Sequence, residues 1–139
     1  MEASNATSLF IGLDHPAIAC ENTAALIDWY CRVLGMRVIA SNGQTPPSAL
    51  VGYGTSVSDG AVIEIMPQRD PGPRPADVPR NCQGIRHLAL RVSDFDSAYA
   101  WLKSAGVQFV TAEPLQALGG GKIISFRDIE GNELQIVQR

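Results

Sequence analysis

Gly12-Leu13-Asp14-His15-Pro16-Ala17-Ile18 and Gly84-Ile85-Arg86-His87-Leu88-Ala89-Leu90 are two versions of one pattern, 72 residues apart. Each is a short apolar run with a histidine at its fourth position, and the chain has only these two histidines. Trp101 likewise falls 72 residues after Trp29. A repeat of this length within 139 residues points to two copies of one supersecondary unit. A sheet of so few strands is not stable with one face open, so each copy needs the other.

The pattern extends outward from each histidine. Gly12–Cys20 reads as a strand, with Pro16 marking an edge or bulge. Asn22 or Thr23 caps a helix in which Leu26, Trp29, Tyr30, Val33 and Leu34 form one apolar stripe. Gly35 is placed to end it in the left-handed conformation. Met36–Ala40, Ala49–Tyr53 and Ala61–Met66 read as three further strands. In the second half, Ser93 or Asp94 caps a helix with Phe95, Ala98, Leu102 and Ala105 on one face and Gly106 at its end. Val107–Val110, Leu115–Leu118, Lys122–Phe126 and Leu134–Val137 supply its strands, Leu115–Leu118 with the least support. Both halves therefore read as βαβββ. Between them, Pro67 to Pro79 holds five prolines, which excludes a helix or an interior strand and predicts a stiff connector.

Composition narrows the function classes. The chain is 45% hydrophobic and 18% charged, the balance of a globular domain. A net charge of −3 argues against a nucleic-acid binder that relies on a positive field. No apolar run reaches the ~18 residues of a membrane helix. No Lys or Arg precedes Arg32, so a signal peptide's basic n-region is not seen and the expected location is the cytoplasm. Cys20, Cys31 and Cys82 are odd in number and lack Cys-x-x-Cys spacing, which reads as free thiols. Residues 1–9 are expected to be flexible.

The chemistry falls on the repeat. Histidines at matched strand positions point into one space if a pseudo-twofold axis relates the halves. Glu64 interrupts Ala61-Val62-Ile63-Glu64-Ile65-Met66. Ile63 and Ile65 would pack on the helix, leaving Glu64 on the inner face, where a carboxylate needs a partner or a metal. In the second half Leu134 and Ile136 take the helix-facing places, so Gln135 matches Glu64. Glu133 lies on the same face, about 6.6 Å away along the strand.

The strand-borne histidines, the helix ending Tyr30-x-x-Val33-Leu34-Gly35-Met36, the Ala61–Ile65 strand and the Phe126-Arg127-Asp128-Ile129-Glu130-Gly131-Asn132 turn resemble the vicinal oxygen chelate superfamily. That group contains glyoxalase I, methylmalonyl-CoA epimerase, extradiol dioxygenases, fosfomycin-resistance enzymes and bleomycin-binding proteins. Val51-Gly52-Tyr53-Gly54 and the Glu64 strand look most like the glyoxalase I branch. The resemblance covers about residues 10 to 138. It implies an α+β fold in which two βαβββ modules pair into a curved, cup-shaped mixed sheet with helices outside. It places module one at 10–66, the connector at 67–82 and module two at 83–138, all one domain.

The resemblance also implies a ligand set of His15, Glu64, His87 and Gln135 around one divalent metal. Imidazole, carboxylate and amide oxygen suit Zn, Ni, Co, Mn or Fe. The implied activity is that of a lyase or isomerase acting on a small substrate with vicinal oxygens through an enediolate-like intermediate. The catalytic carboxylate expected is Glu64 or, one pleat away, Glu133, and the expected assembly is a homodimer, with the site either closed within one chain or shared between two and no nucleic-acid or membrane partner. Two positions depart from the glyoxalase pattern. Gln135 stands where a glutamate that often serves as base is usual, and an amide cannot take that proton. Ala19 replaces the Arg that binds the glutamyl carboxylate of glutathione, which argues against glutathione as the thiol. The alternatives are a metal-free, antibiotic-type binding protein and, with less support, a ring-cleaving dioxygenase. Lesser features read as follows: Gly119-Gly120-Gly121-Lys122 as a turn or a loop over the cleft, Trp29 and Trp101 as core, Cys20 and Cys31 as buried, and Arg69, Arg74 and Arg80 as solvated.

Overall fold

The computed structural model describes residues 9–139. Most of the segment expected to be flexible lies outside the described residues. The first module is β1 (Ala17–Cys20), α1 (Thr23–Leu34), β2 (Arg37–Ser41), β3 (Ala49–Gly52) and β4 (Val62–Pro67). The second is β5 (Leu88–Arg91), α2 (Phe95–Ser104), β6 (Gln108–Phe109), β7 (Leu115–Gln116), β8 (Lys122–Arg127) and β9 (Glu133–Gln138). Strand order is β1-β4-β3-β2 in one sheet and β5-β9-β8-β6 in the other, with β7 added to β8. In each sheet the first and last strands of the module pair in parallel and the remaining pairs are antiparallel. The chain is thus an α+β fold of two βαβββ-like modules with mixed sheets. No helix among the described residues is long and apolar enough to cross a membrane.

The helices start and stop where their end residues direct. The Asn22 side chain accepts from the Ala25 N–H at 3.1 Å, which caps α1. Gly35 ends it at φ 72°, a conformation that disfavours residues with a Cβ. Asp94 caps α2 by accepting from the Ser97 N–H. The apolar faces of both helices and the helix-facing sides of both sheets meet in one continuous core. Tyr30, Leu26, Ile65, Leu102, Ile124, Phe126 and Leu134 are fully buried within it.

Polar bonds tie the modules together. The Tyr30 hydroxyl donates to Asp128 at 2.7 Å in a buried site. The Glu130 carboxylate accepts from the N–H groups of Glu21 and Asn22, at the start of α1. The Trp101 indole N–H donates to the Val33 carbonyl at 2.7 Å.

Several sequence expectations change. The first strand starts at Ala17 rather than Gly12, because Pro16 has no N–H for the ladder. The Pro16 carbonyl still accepts from the Glu64 N–H at 2.9 Å. Leu115–Leu118 shortens to Leu115–Gln116, because the Ala117–Gly121 turn follows immediately. The connector is not wholly irregular: Pro67 closes β4 opposite Cys20, and Pro75–Asp77 makes one 3-10 turn. Trp101 is 54% exposed rather than core, since its indole reaches sideways to α1. Cys20 is buried as expected, Cys31 is half-buried, and all three cysteines are free.

Candidate metal centre

Register places the four matched side chains. In the first sheet Ala17 of β1 pairs with Glu64 of β4. In the second Ala89 of β5 pairs with Gln135 of β9. Ala17 and Ala89 are 72 apart, and each lies two residues after a histidine. Glu64 and Gln135 therefore occupy the same position relative to His15 and His87. Ile63 and Ile65, like Leu134 and Ile136, are buried on the other face, against the core.

In the first module the pair is in contact. His15 Nε2 lies 3.2 Å from Glu64 Oε1, and each side chain is about one-third exposed (33% and 32%). His15 Nδ1 lies 2.7 Å from Asp14 Oδ2. Asp14 has the largest share in raising the histidine's pKa above its ordinary value, desolvation opposes it, and Glu64 adds to the rise. Both carboxylate oxygens can only accept, so each contact is a hydrogen bond when the ring nitrogen facing it carries a proton; a metal at Nε2 would take the place of the proton there. A carboxylate behind a ligating histidine fixes its tautomer and orientation.

The second module is built differently. Arg86 stands where Asp14 stands in the first, and its guanidinium donates to the carbonyls of Pro79, Gln83 and Gly84. His87 is exposed. Gln135 is buried, and its amide nitrogen donates to Ser125 Oγ at 3.1 Å. That bond leaves the amide oxygen as the end offered elsewhere. Glu133 is buried, and Arg80 grips it through two bonds of 2.8 Å. The guanidinium holds this carboxyl below the usual range against the opposing effect of burial, with smaller help from His87 and Arg127.

Arg80 and Arg74 are exposed as expected but not without partners: Arg80 bonds Glu133, and Arg74 bonds Glu21 and the Ile129 carbonyl. Neither contact has a sequence signal, because both partners are remote in the chain. Asp14 does have one: an acid directly before the first histidine. Lys122 does not reach the cleft. It lies at the opposite end of β8 from Arg127, with Nζ 3.9 Å from Asp96 and 5.6 Å from the Phe95 ring centre.

Among the described residues, no three His, Cys, Asp or Glu side chains converge as a metal group. His15, Glu64 and His87 thus do not gather into one such group within the chain. The donor types in both pairs suit a divalent transition metal: imidazole nitrogen with carboxylate or amide oxygen.

Comparison with known proteins decides the family. Residues 12–136 match the model of the Glyoxalase/Bleomycin resistance protein/Dioxygenase superfamily. The chain belongs to that superfamily. Its solved relatives in the glyoxalase/bleomycin resistance/dioxygenase superfamily share the fold across nearly the whole length. A glyoxalase family protein from Enterococcus faecalis is 24% identical, with a TM-score of 0.70 over 92% of this chain and 98% of that one. The trypanothione-dependent glyoxalase I of Leishmania major is 17% identical, with a TM-score of 0.68 over 93% and 87%. A fosfomycin resistance protein from Listeria monocytogenes, solved with Mn(II) and sulfate, is 15% identical, with a TM-score of 0.65 over 94% and 91%. Among curated proteins, none matches the chain. The superfamily includes enzymes and proteins that bind divalent metals and small molecules.

Proposed function

We propose that the chain is one subunit of a divalent-metal-dependent lyase or isomerase of glyoxalase type, working in the cytoplasm on a small substrate with vicinal oxygens. The observation that carries this reading is the oriented pair: Asp14 holds His15 by Nδ1 while Nε2 faces Glu64 at 3.2 Å. His15 lies just before β1 and is partly exposed, and a second carboxylate on its outward nitrogen is not needed to hold the strand in place.

His15, Glu64, His87 and Gln135 would hold the ion. When bound, the metal would act as a Lewis acid that stabilises negative charge developing on a substrate oxygen. Glu64 is the carboxylate placed to move the proton, because Gln135 has no basic oxygen and Glu133 is committed to Arg80. A carboxylate with a lowered pKa is also the weaker base.

The two pairs meet when two copies associate. His15 and Glu64 of one chain would face His87 and Gln135 of the other. Large apolar side chains flank both histidines at full exposure: Leu13 before His15, and Ile85 at 88% before His87. A homodimer interface would cover them.

Elemental analysis after reconstitution with Ni, Co, Zn or Mn tests the reading. About one metal per chain is expected, lost in His15→Ala and in His87→Ala, with a dimer by light scattering. No retained metal under any of these conditions would overturn it in favour of a metal-free binding protein.

A further inference from the structure

A cavity of about 400 Å³ lies between β1, the edge strand of one sheet, and β5, the edge strand of the other. That volume lies within the range of small-molecule sites. Its walls include Ile18, Leu88 and Leu134, and the connector contributes Pro73, Pro75 and Val78. His87 lines it as well, so it reaches the second half-site.

The lining charge is one-sided. Arg80, Arg86 and Arg127 face it with one carboxylate, Glu133, on a chain whose net charge is −3. Glu133 neutralises Arg80. Arg86 spends its donors on three backbone carbonyls. Arg127 spends only one, on the Gly131 carbonyl at 2.7 Å. A guanidinium carries five N–H donors, so Arg127 keeps several for a ligand. Low-dielectric walls strengthen a charge pair formed there.

We propose that this cavity is a carboxylate subsite, with Arg127 as the anchoring cation and the apolar walls holding the carbon body beside it. Arg86 contributes positive potential without a direct bond. On the metal-dependent reading above, on which this assignment of the ligand as substrate rests, the substrate is a small organic acid whose oxygens point towards His87. The planar fork of a guanidinium matches a carboxylate in two parallel bonds, which selects an acid over its neutral amide.

Benzoate and benzamide, equal in shape and different in charge, are the probes. Both are titrated by calorimetry into the metal-free and the metal-loaded protein. Benzoate is expected to bind at least tenfold more tightly than benzamide in both forms. Arg127→Gln should erase that preference, and Arg127→Lys should retain part of it. Because Arg127 also holds the Gly131 turn, Ala19→Asp supplies an independent arm: it places an acid on the β1 wall and should abolish benzoate binding while benzamide binding persists. Equal binding of the two probes, no binding of either, or a preference unchanged in the folded Arg127→Gln and Ala19→Asp variants would overturn the proposal. A benzoate preference that depends on Arg127 in a protein that retains no metal would leave the subsite standing and remove the metal reading. Metal retention without that preference would do the reverse.

Discussion

Asp14 and Glu64 hold His15 from its two ring nitrogens, and that arrangement makes separate demands on each residue. Asp14→Asn should weaken metal binding by about tenfold or more, the usual effect of losing the carboxylate behind a ligating histidine. The same variant should lower the His15 pKa, since Asp14 has the largest share in raising it. An NMR titration of the ring reads the shift, and competition with a chelator reads the affinity. Glu133 and Arg80 make a different prediction. The Glu133 pKa is depressed in the folded chain, so its contribution to stability is present above the unfolded value of about 4.3 and is lost as pH falls through the folded value. Arg80→Met should therefore be less stable than the parent at pH 7, with the gap closing below about pH 4. Urea unfolding across pH checks this; a gap independent of pH would assign the loss to packing. The matched histidines and the equivalence of Gln135 with Glu64 are legible in sequence, because a constant offset and a two-residue period fix them. Arg80's partner is not legible, because the contact spans more than fifty residues and no local pattern encodes it.

At the scale of elements, the turn after β8 does more than reverse the chain. Asp128 accepts from the N–H groups of Glu130 and Asn132, from the Asn132 side chain and from the Tyr30 hydroxyl. Glu130, held in that turn, reaches the first N–H groups of module one's helix. Tyr30→Phe should cost about 1–2 kcal/mol, at the modest end for a bond to a buried carboxylate, because three other donors remain on Asp128. Glu130→Ala should cost about 1 kcal/mol through loss of an anion at the helix start. Denaturant midpoints at constant slope measure both. Helix ends are legible here because Asn22, Gly35 and Asp94 are strong local signals. Strand limits are less so: Pro16 delays β1 by removing a donor, and β7 survives only as two residues beside a tight glycine turn.

For the whole molecule, the sequence repeat foretells two modules but not how they share a site. The offset of 72 says which residues are equivalent. It carries no information on whether equivalent residues of one chain meet, because that depends on how two sheet edges dock. In the structure β1 and β5 belong to separate sheets with a cavity between them, and among the described residues His15, Glu64 and His87 do not converge as a group of three. A second copy would bring His15 and Glu64 of one chain to His87 and Gln135 of the other. Mixing His15→Ala chains with His87→Ala chains, after dissociation and reassociation, tests this most directly. Each variant alone should hold no metal. In the mixture, half the dimers are mixed and each mixed dimer has one intact site, so metal content should recover to about one quarter of the parent's. A mixture that stays empty, while the unmixed parent binds metal after the same treatment, would contradict a site shared between two chains.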